Sequence, residues 1–136
     1  MRFLLDTNVV SDALKEPPRA KVLRNLALHE GHTAITAVTW HELRFGVERL
    51  PRSRRRAALA EAIDLWRASV PIVDYDARAA EWHARERARL RVAGYSEQIF
   101  DGQIASIAAT RRLTLVTANV KHFAHYEGLT VVDWSR

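Results

Sequence analysis

Apolar positions along the chain fall into two rhythms: short unbroken runs, and longer stretches in which they recur every third or fourth residue. Phe3-Leu4-Leu5 opens the first kind and stops at Asp6-Thr7-Asn8, the signature of a buried strand that ends at Asp6. Thr7 and Asn8 are good helix caps, so a helix over about 9–14 is predicted to follow. Glu16-Pro17-Pro18 breaks that pattern, and residues 20–28 resume helical spacing through Val22, Leu23, Leu26 and Ala27 until Gly31 ends it. Thr33-Ala34-Ile35-Thr36 predicts a second strand. Residues 39–50 are helical again, with Trp40, Leu43, Val47 and Leu50 on one face, Glu42 on its flank, and Pro51 as the stop.

Ser53 can cap a further helix whose stripe is Leu59, Ile63 and Trp66, behind the solvated run Arg54-Arg55-Arg56. Val70-Pro71-Ile72-Val73 predicts a third strand, with its proline where an edge strand tolerates one. Asp76 caps a helix reaching about Val92, whose outer face interleaves arginines with Glu81 and Glu86 as a salt-bridged exterior does. Gly94 closes it, and Ser96 opens a loop or cap. Residues 99–111 predict an alanine-rich helix with Ile104, Ile107 and Ala108 inward, and residues 113–116 and 130–132 the last two strands. Strands alternating with helices over 136 residues predict one α/β domain, residues 1–136, in three layers (α/β/α) around a five-stranded, mostly parallel sheet. With strand one central and strand four beside it, the order reverses between them and a crevice opens at their carboxyl ends.

Composition narrows the environment. The chain has no cysteine, which excludes disulfides and thiolate zinc sites and fits a reducing cytoplasm. Too few residues precede Asp6 to form a signal peptide, and no apolar run approaches membrane-spanning length. A net charge of +5 favours polyanionic partners, above all nucleic acid.

The crevice is where candidate chemistry collects. Asp6 follows strand one, Asn119 follows strand four, Asp101 lies near the start of the helix before strand four, and Glu42 follows strand two, so all four are expected on one rim. Carboxylates that converge repel one another unless a cation neutralises them. An all-oxygen set suits hard Mg²⁺ or Mn²⁺, and such a site in a basic protein reads as a phosphodiesterase. Each residue also has a plain structural reading: Asp6 as a helix cap, Thr39-Trp40-His41-Glu42 as a capping box, Asp101 as a first-turn acid, Asn119 as a turn residue. The pairs His29/His32 and His122/His125 have zinc-like spacing but no further soft ligands.

The same residues carry a family likeness. Leu5-Asp6-Thr7-Asn8-Val9, then Thr36-Ala37-Val38-Thr39-Trp40-His41-Glu42-Leu43-Arg44-Phe45-Gly46, then Asp101-Gly102-Gln103-Ile104-Ala105, then Leu115-Val116-Thr117-Ala118-Asn119-Val120-Lys121-His122-Phe123 resemble the ordered motifs of PIN-domain ribonucleases, above all the VapC toxins of bacterial VapBC toxin–antitoxin pairs. The resemblance implies a Mg²⁺- or Mn²⁺-dependent endoribonuclease acting on transfer or ribosomal RNA, a homodimer or a hetero-oligomer with a small cognate antitoxin, Asp6, Glu42 and Asp101 as metal-binding acids, and Asn119 as the polar residue of the last motif. The chain departs from the pattern at His122, where family members often carry an acid, so the likeness supplies no ligand set for a second metal. Phosphoaspartate-forming hydrolases also begin with a strand ending in Asp, but they place a second Asp where this chain has Asn8. A non-catalytic basic nucleic-acid-binding regulator accounts for the charge and leaves the acidic rim unexplained.

Overall fold

Phe3, Leu4 and Leu5 are all buried, although successive side chains of a strand point to opposite faces, so the first strand is covered on both sides. The computed structural model, which describes residues 1–136, accounts for this. Its strands are β1 (Phe3–Leu5), β2 (Thr33–Thr36), β3 (Ile72–Val73), β4 (Thr114–Val116) and β5 (Val131–Val132). Its helices are α1 (Thr7–Leu14), α2 (Ala20–Leu28), α3 (Ala37–Glu48), α4 (Arg54–Arg67), α5 (Ala77–Val92) and α6 (Ile99–Thr110), with a 3₁₀ turn over Val120–Phe123. The sheet runs β3-β2-β1-β4-β5 with every pairing parallel. It is the three-layer sheet that the hydrophobic pattern predicts, with β1 at its centre and the order reversing between β1 and β4.

Alternation along the strands divides the core. Leu4, Ala34 and Leu115 face α5 and α6, packing with Ala79, Leu90, Ile104, Ile107 and Ala108. Phe3, Leu5, Ile35 and Val116 face the opposite layer, packing with Val9, Val10, Val22, Leu43, Val47 and Ile63 from α1 to α4. One residue of slip in any strand would exchange these sets, so the pairing register is fixed by burial on both faces.

Two helix starts differ from the sequence reading. Neither Thr7 nor Asn8 caps α1; Asp6 does so itself, its Oδ1 accepting from the Thr7 amide at 2.9 Å. The helix after β2 begins at Ala37, capped by Thr36, whose hydroxyl oxygen accepts from the Thr39 amide at 2.9 Å. Thr39 is therefore inside the helix and fully buried, and the capping box from Thr39 to Glu42 does not form. The strand's last residue doubles as the cap, so the chain turns at once and no loop separates strand from helix. Ser53 and Asp76 cap α4 and α5 as predicted, accepting from the amides of Arg56 and Ala79. Ser96 caps nothing: α6 starts after Gln98, which makes no side-chain cap bond.

Candidate active site

Asp6 is 5 % exposed at the junction of β1 and α1. Its backbone amide donates to the Val116 carbonyl at 2.9 Å, so the carboxylate stands where β1 and β4 end side by side. Oδ2 accepts from the Thr117 hydroxyl at 2.8 Å and the Asn8 amide at 3.1 Å, while Oδ1 accepts from the backbone at Thr7. Asn8 is itself braced, its Oδ1 accepting from the Ala118 amide at 3.0 Å. Burial pushes the Asp6 carboxyl above its ordinary pKa, and the Thr117, Thr7 and Asn8 donors pull the other way. The helix-cap reading of Asp6 is thus correct as far as it goes. It leaves unexplained why two side chains from separate elements converge to hold a buried carboxylate.

Asp101 lies in the first turn of α6, half-buried. Burial raises its pKa, and so does the charge of Asp6, with a smaller effect from Glu42, while His122 opposes them. Asp101 therefore feels the charge of two acids from two other segments. Glu42 is one turn beyond the α3 start, and its Oε1 accepts from the Thr7 hydroxyl at 2.8 Å; Thr7 thereby links it to Asp6. His122, in the 3₁₀ turn, brings Nδ1 to 3.4 Å from Asp101 Oδ2. Asn119 precedes that turn and donates its backbone amide to the Thr117 hydroxyl at 3.0 Å. Its side chain makes no hydrogen bond to the three acids. The residue that reaches Asp6 from the end of β4 is Thr117, fully buried, which the sequence reading passed over.

Beneath Asp101 lies a second group that sequence reasoning missed. His83 of α5 joins Tyr75 through Nδ1 at 3.1 Å and Glu97 through Nε2 at 2.7 Å, and the Tyr126 hydroxyl donates to the other oxygen of Glu97. The His83 and Glu97 side chains are 6 % and 9 % exposed. Burial and the Glu97 charge push the Tyr126 hydroxyl well up, so it remains a donor. Gly102, next to Asp101, makes room for this pair: a Cβ there would lie 2.6 Å from Glu97 Oε2 and closer still to His83 Nε2. Glu97 thereby ties α5, the entry to α6 and the segment after β4 together. The available signal was His83 on the apolar stripe of α5, between Ala79 and Leu90. Glu97 carried none. Two other histidines pack on aromatic rings, His29 against Phe3 and Trp134, and His125 against Tyr95.

No three His, Asp or Glu side chains converge tightly enough to make a ready-formed metal cage. That is compatible with Mg²⁺, which keeps several waters and takes only one or two carboxylates from a protein. Asp6 and Asp101 offer two such carboxylates, both raised by burial and Asp101 further by its neighbours' charge, and Glu42 adds negative charge nearby. The donor set is all oxygen, apart from the His122 imidazole beside Asp101.

Comparison with known proteins agrees with this arrangement. The PIN domain family matches residues 3–129. The tRNA(fMet)-specific endonuclease VapC of Shigella flexneri is 35 % identical over 135 residues, covering 99 % of both chains, and the toxin FitB of Neisseria gonorrhoeae is 30 % identical over 129 residues, 89 % of this chain and 90 % of that one. The crystal structure of DNA-bound VapBC from Salmonella typhimurium superposes with a TM-score of 0.89 at 28 % identity, covering 98 % of each chain. The buried acid at the β1/β4 switch point, the acid at the start of α6 and the full-length likeness agree: the chain belongs to the PIN domain family and is of the VapC toxin type.

Proposed function

We propose that this protein is an endoribonuclease, the toxin of a toxin–antitoxin pair, and that it hydrolyses RNA phosphodiesters with a divalent cation, Mg²⁺ or Mn²⁺, held by Asp6 and Asp101 with Glu42 alongside. The observation that carries this reading is that Asp101 lies within charge range of both the buried Asp6 and Glu42, an arrangement that is costly without a cation and that capping α1 does not require. Relatives named as endonuclease and ribonuclease support the activity.

When bound, the cation supplies Lewis acidity, activating water and offsetting the charge that builds on the phosphate. The chain's own residues do the rest. Thr117, Asn8 and the Thr7 amide fix the Asp6 carboxylate in one orientation, filling Oδ2 and leaving Oδ1 one lone pair free to accept a cation. Thr7 holds Glu42 through its hydroxyl. His122 stands beside Asp101 at the mouth, with the imidazole in reach of a phosphate that approaches the acids. A surface with +5 net charge draws the RNA backbone in by counterion release.

Solved relatives include two VapBC complexes bound to DNA. For this chain the corresponding partner is a small antitoxin that places an arginine against the carboxylates, where a guanidinium substitutes for the cation; a homodimer of the toxin is the expected core of that complex. No helix is long and apolar enough to cross a membrane.

The test is incubation of purified, antitoxin-free protein with RNA in Mg²⁺, in excess chelator, and as the Asp6→Asn variant. Cleavage should occur only in the first. Wild-type rates in Asp6→Asn, or intact RNA in every arm, would overturn the reading.

A further inference from the structure

A cavity of about 290 Å³ lies between the last turns of α5 and the loop that enters α6, lined by Arg87, Arg91, Tyr95, Ser96, Glu97 and Ile99. Its walls differ from those of a surface hollow between α3 and α4, where Arg44 and Arg56 are already paired with Glu48 and Asp64. In the α5–α6 cavity Arg87 approaches Glu97 at 3.7 Å and offsets its charge. The Arg91 guanidinium has no hydrogen-bond or ion-pair partner, and neither the Ser96 nor the Tyr95 hydroxyl is engaged. The Tyr95 ring, 46 % exposed, is held from behind by His125, with ring centroids 3.7 Å apart and planes 21° from parallel. It is an aromatic surface already fixed in place.

Position connects the cavity to the acids. Ile99, on its wall, is two residues before Asp101 in the first turn of α6. His125, behind Tyr95, is three residues after His122, which touches Asp101, and three residues span at most about 11 Å. A strand of RNA with one phosphate at Asp6 and Asp101 can therefore set a neighbouring base against Tyr95.

We propose that this cavity is a nucleobase subsite of the nuclease, which holds one base within two nucleotides of the cut and favours guanine. The proposal rests on the ribonuclease reading. Single-stranded bases are recognised by stacking on aromatic rings, for which Tyr95 is exposed and pre-ordered. Guanine presents two adjacent acceptors, O6 and N7, that match the fork of a free guanidinium, for which Arg91 is available. Adenine puts a donor where O6 stands, and so opposes Arg91.

The experiment digests total cellular RNA with purified wild type, Tyr95→Ala, Arg91→Ala and Arg91→Lys at fixed Mg²⁺, and sequences the new 5′ ends. Both positions are exposed, and melting temperatures check that each variant folds. Wild type should show guanine enriched at one fixed offset, no more than two nucleotides from the cut. Each variant should cut about tenfold less, the size of one base–aromatic or bidentate contact, and lose that enrichment; Arg91→Lys tests the fork because it keeps the charge. Wild-type cuts without a base preference near the cleavage point, or the same preference in Tyr95→Ala and Arg91→Lys, would overturn the subsite and leave the nuclease reading standing. No cuts by wild type would overturn the nuclease reading and the subsite with it.

Discussion

Gly102→Ala should destabilise the protein, although the same change in an ordinary helix interior would stabilise it by about 1 kcal/mol. The added Cβ meets Glu97 Oε2 at 2.6 Å and His83 Cδ2 at 2.9 Å, with His83 Nε2 nearer still. Neither side chain is a free end that can swing aside, because both are buried and bonded to each other. Overpacking of this kind costs about 1–3 kcal/mol. Forcing His83 off Glu97 loses a hydrogen bond to a buried charged group, about 1.5–3 kcal/mol more. Against the helix gain, the net loss is about 1.5–5 kcal/mol. Urea unfolding of the metal-free protein measures it directly. The double variant His83→Ala/Gly102→Ala vacates the space, so it should be more stable than the two single losses add up to, by at least about 1 kcal/mol. A Gly102→Ala protein as stable as wild type, or strictly additive losses in the double variant, would refute the close packing of His83 and Glu97 under Asp101.

Other outcomes follow from the same geometry. Asp101→Asn should abolish RNA cleavage in Mg²⁺ and raise the melting temperature without metal, since it removes a charge that Asp6 and Glu42 oppose; a lower metal-free melting temperature would contradict the repulsion. Asp6 and Asp101 titrate above their ordinary values, so their contribution to metal-free stability is full below the usual carboxylate range and is lost as pH rises through the raised values. The stability difference between Asp6→Asn and wild type should therefore grow in the variant's favour over that rise and shrink when Mg²⁺ is added, as unfolding at a series of pH values would show. Glu42→Gln keeps an acceptor for Thr7 but loses a negative charge; cleavage at fixed Mg²⁺ should fall with an unchanged melting temperature, and an undiminished rate would remove Glu42 from the site. Thr36→Ala deletes the α3 cap and should cost about 1–2 kcal/mol in urea unfolding, whereas no loss would return the start of α3 to Thr39.

Much of this fold is legible in the sequence because both faces of its sheet are covered. Phe3-Leu4-Leu5 and Thr33-Ala34-Ile35-Thr36 read as strands through unbroken runs, and Ser53 and Asp76 mark their helices because a loop isolates each cap. Where strand passes directly into helix the signal fails. Thr36 looks like a β residue and is also a cap, so the capping box at Thr39 was a sound pattern in the wrong register. Motif positions brought Asp6, Glu42 and Asp101 to one rim, because each adjoins a strand end or helix start whose place the topology dictates. The residues that support them were hidden for the opposite reason. Thr117, His83 and Glu97 act through contacts 111, 8 and 29 positions away in sequence, and no local pattern distinguishes a threonine or glutamate that will be buried against a distant partner from one that will not.

The central claim is that Asp6 and Asp101 together hold the cation that makes the protein a nuclease. Mn²⁺ titration, followed by the paramagnetic signal of free ion and by RNA cleavage in the same samples, tests it most directly for wild type, Asp6→Asn and Asp101→Asn. Binding and cleavage should rise with a common midpoint in wild type, and both should weaken by about tenfold or more in each variant, as the loss of a charged oxygen ligand requires. Full cleavage before any Mn²⁺ binds, or undiminished Mn²⁺ binding by the two variants, would contradict the account.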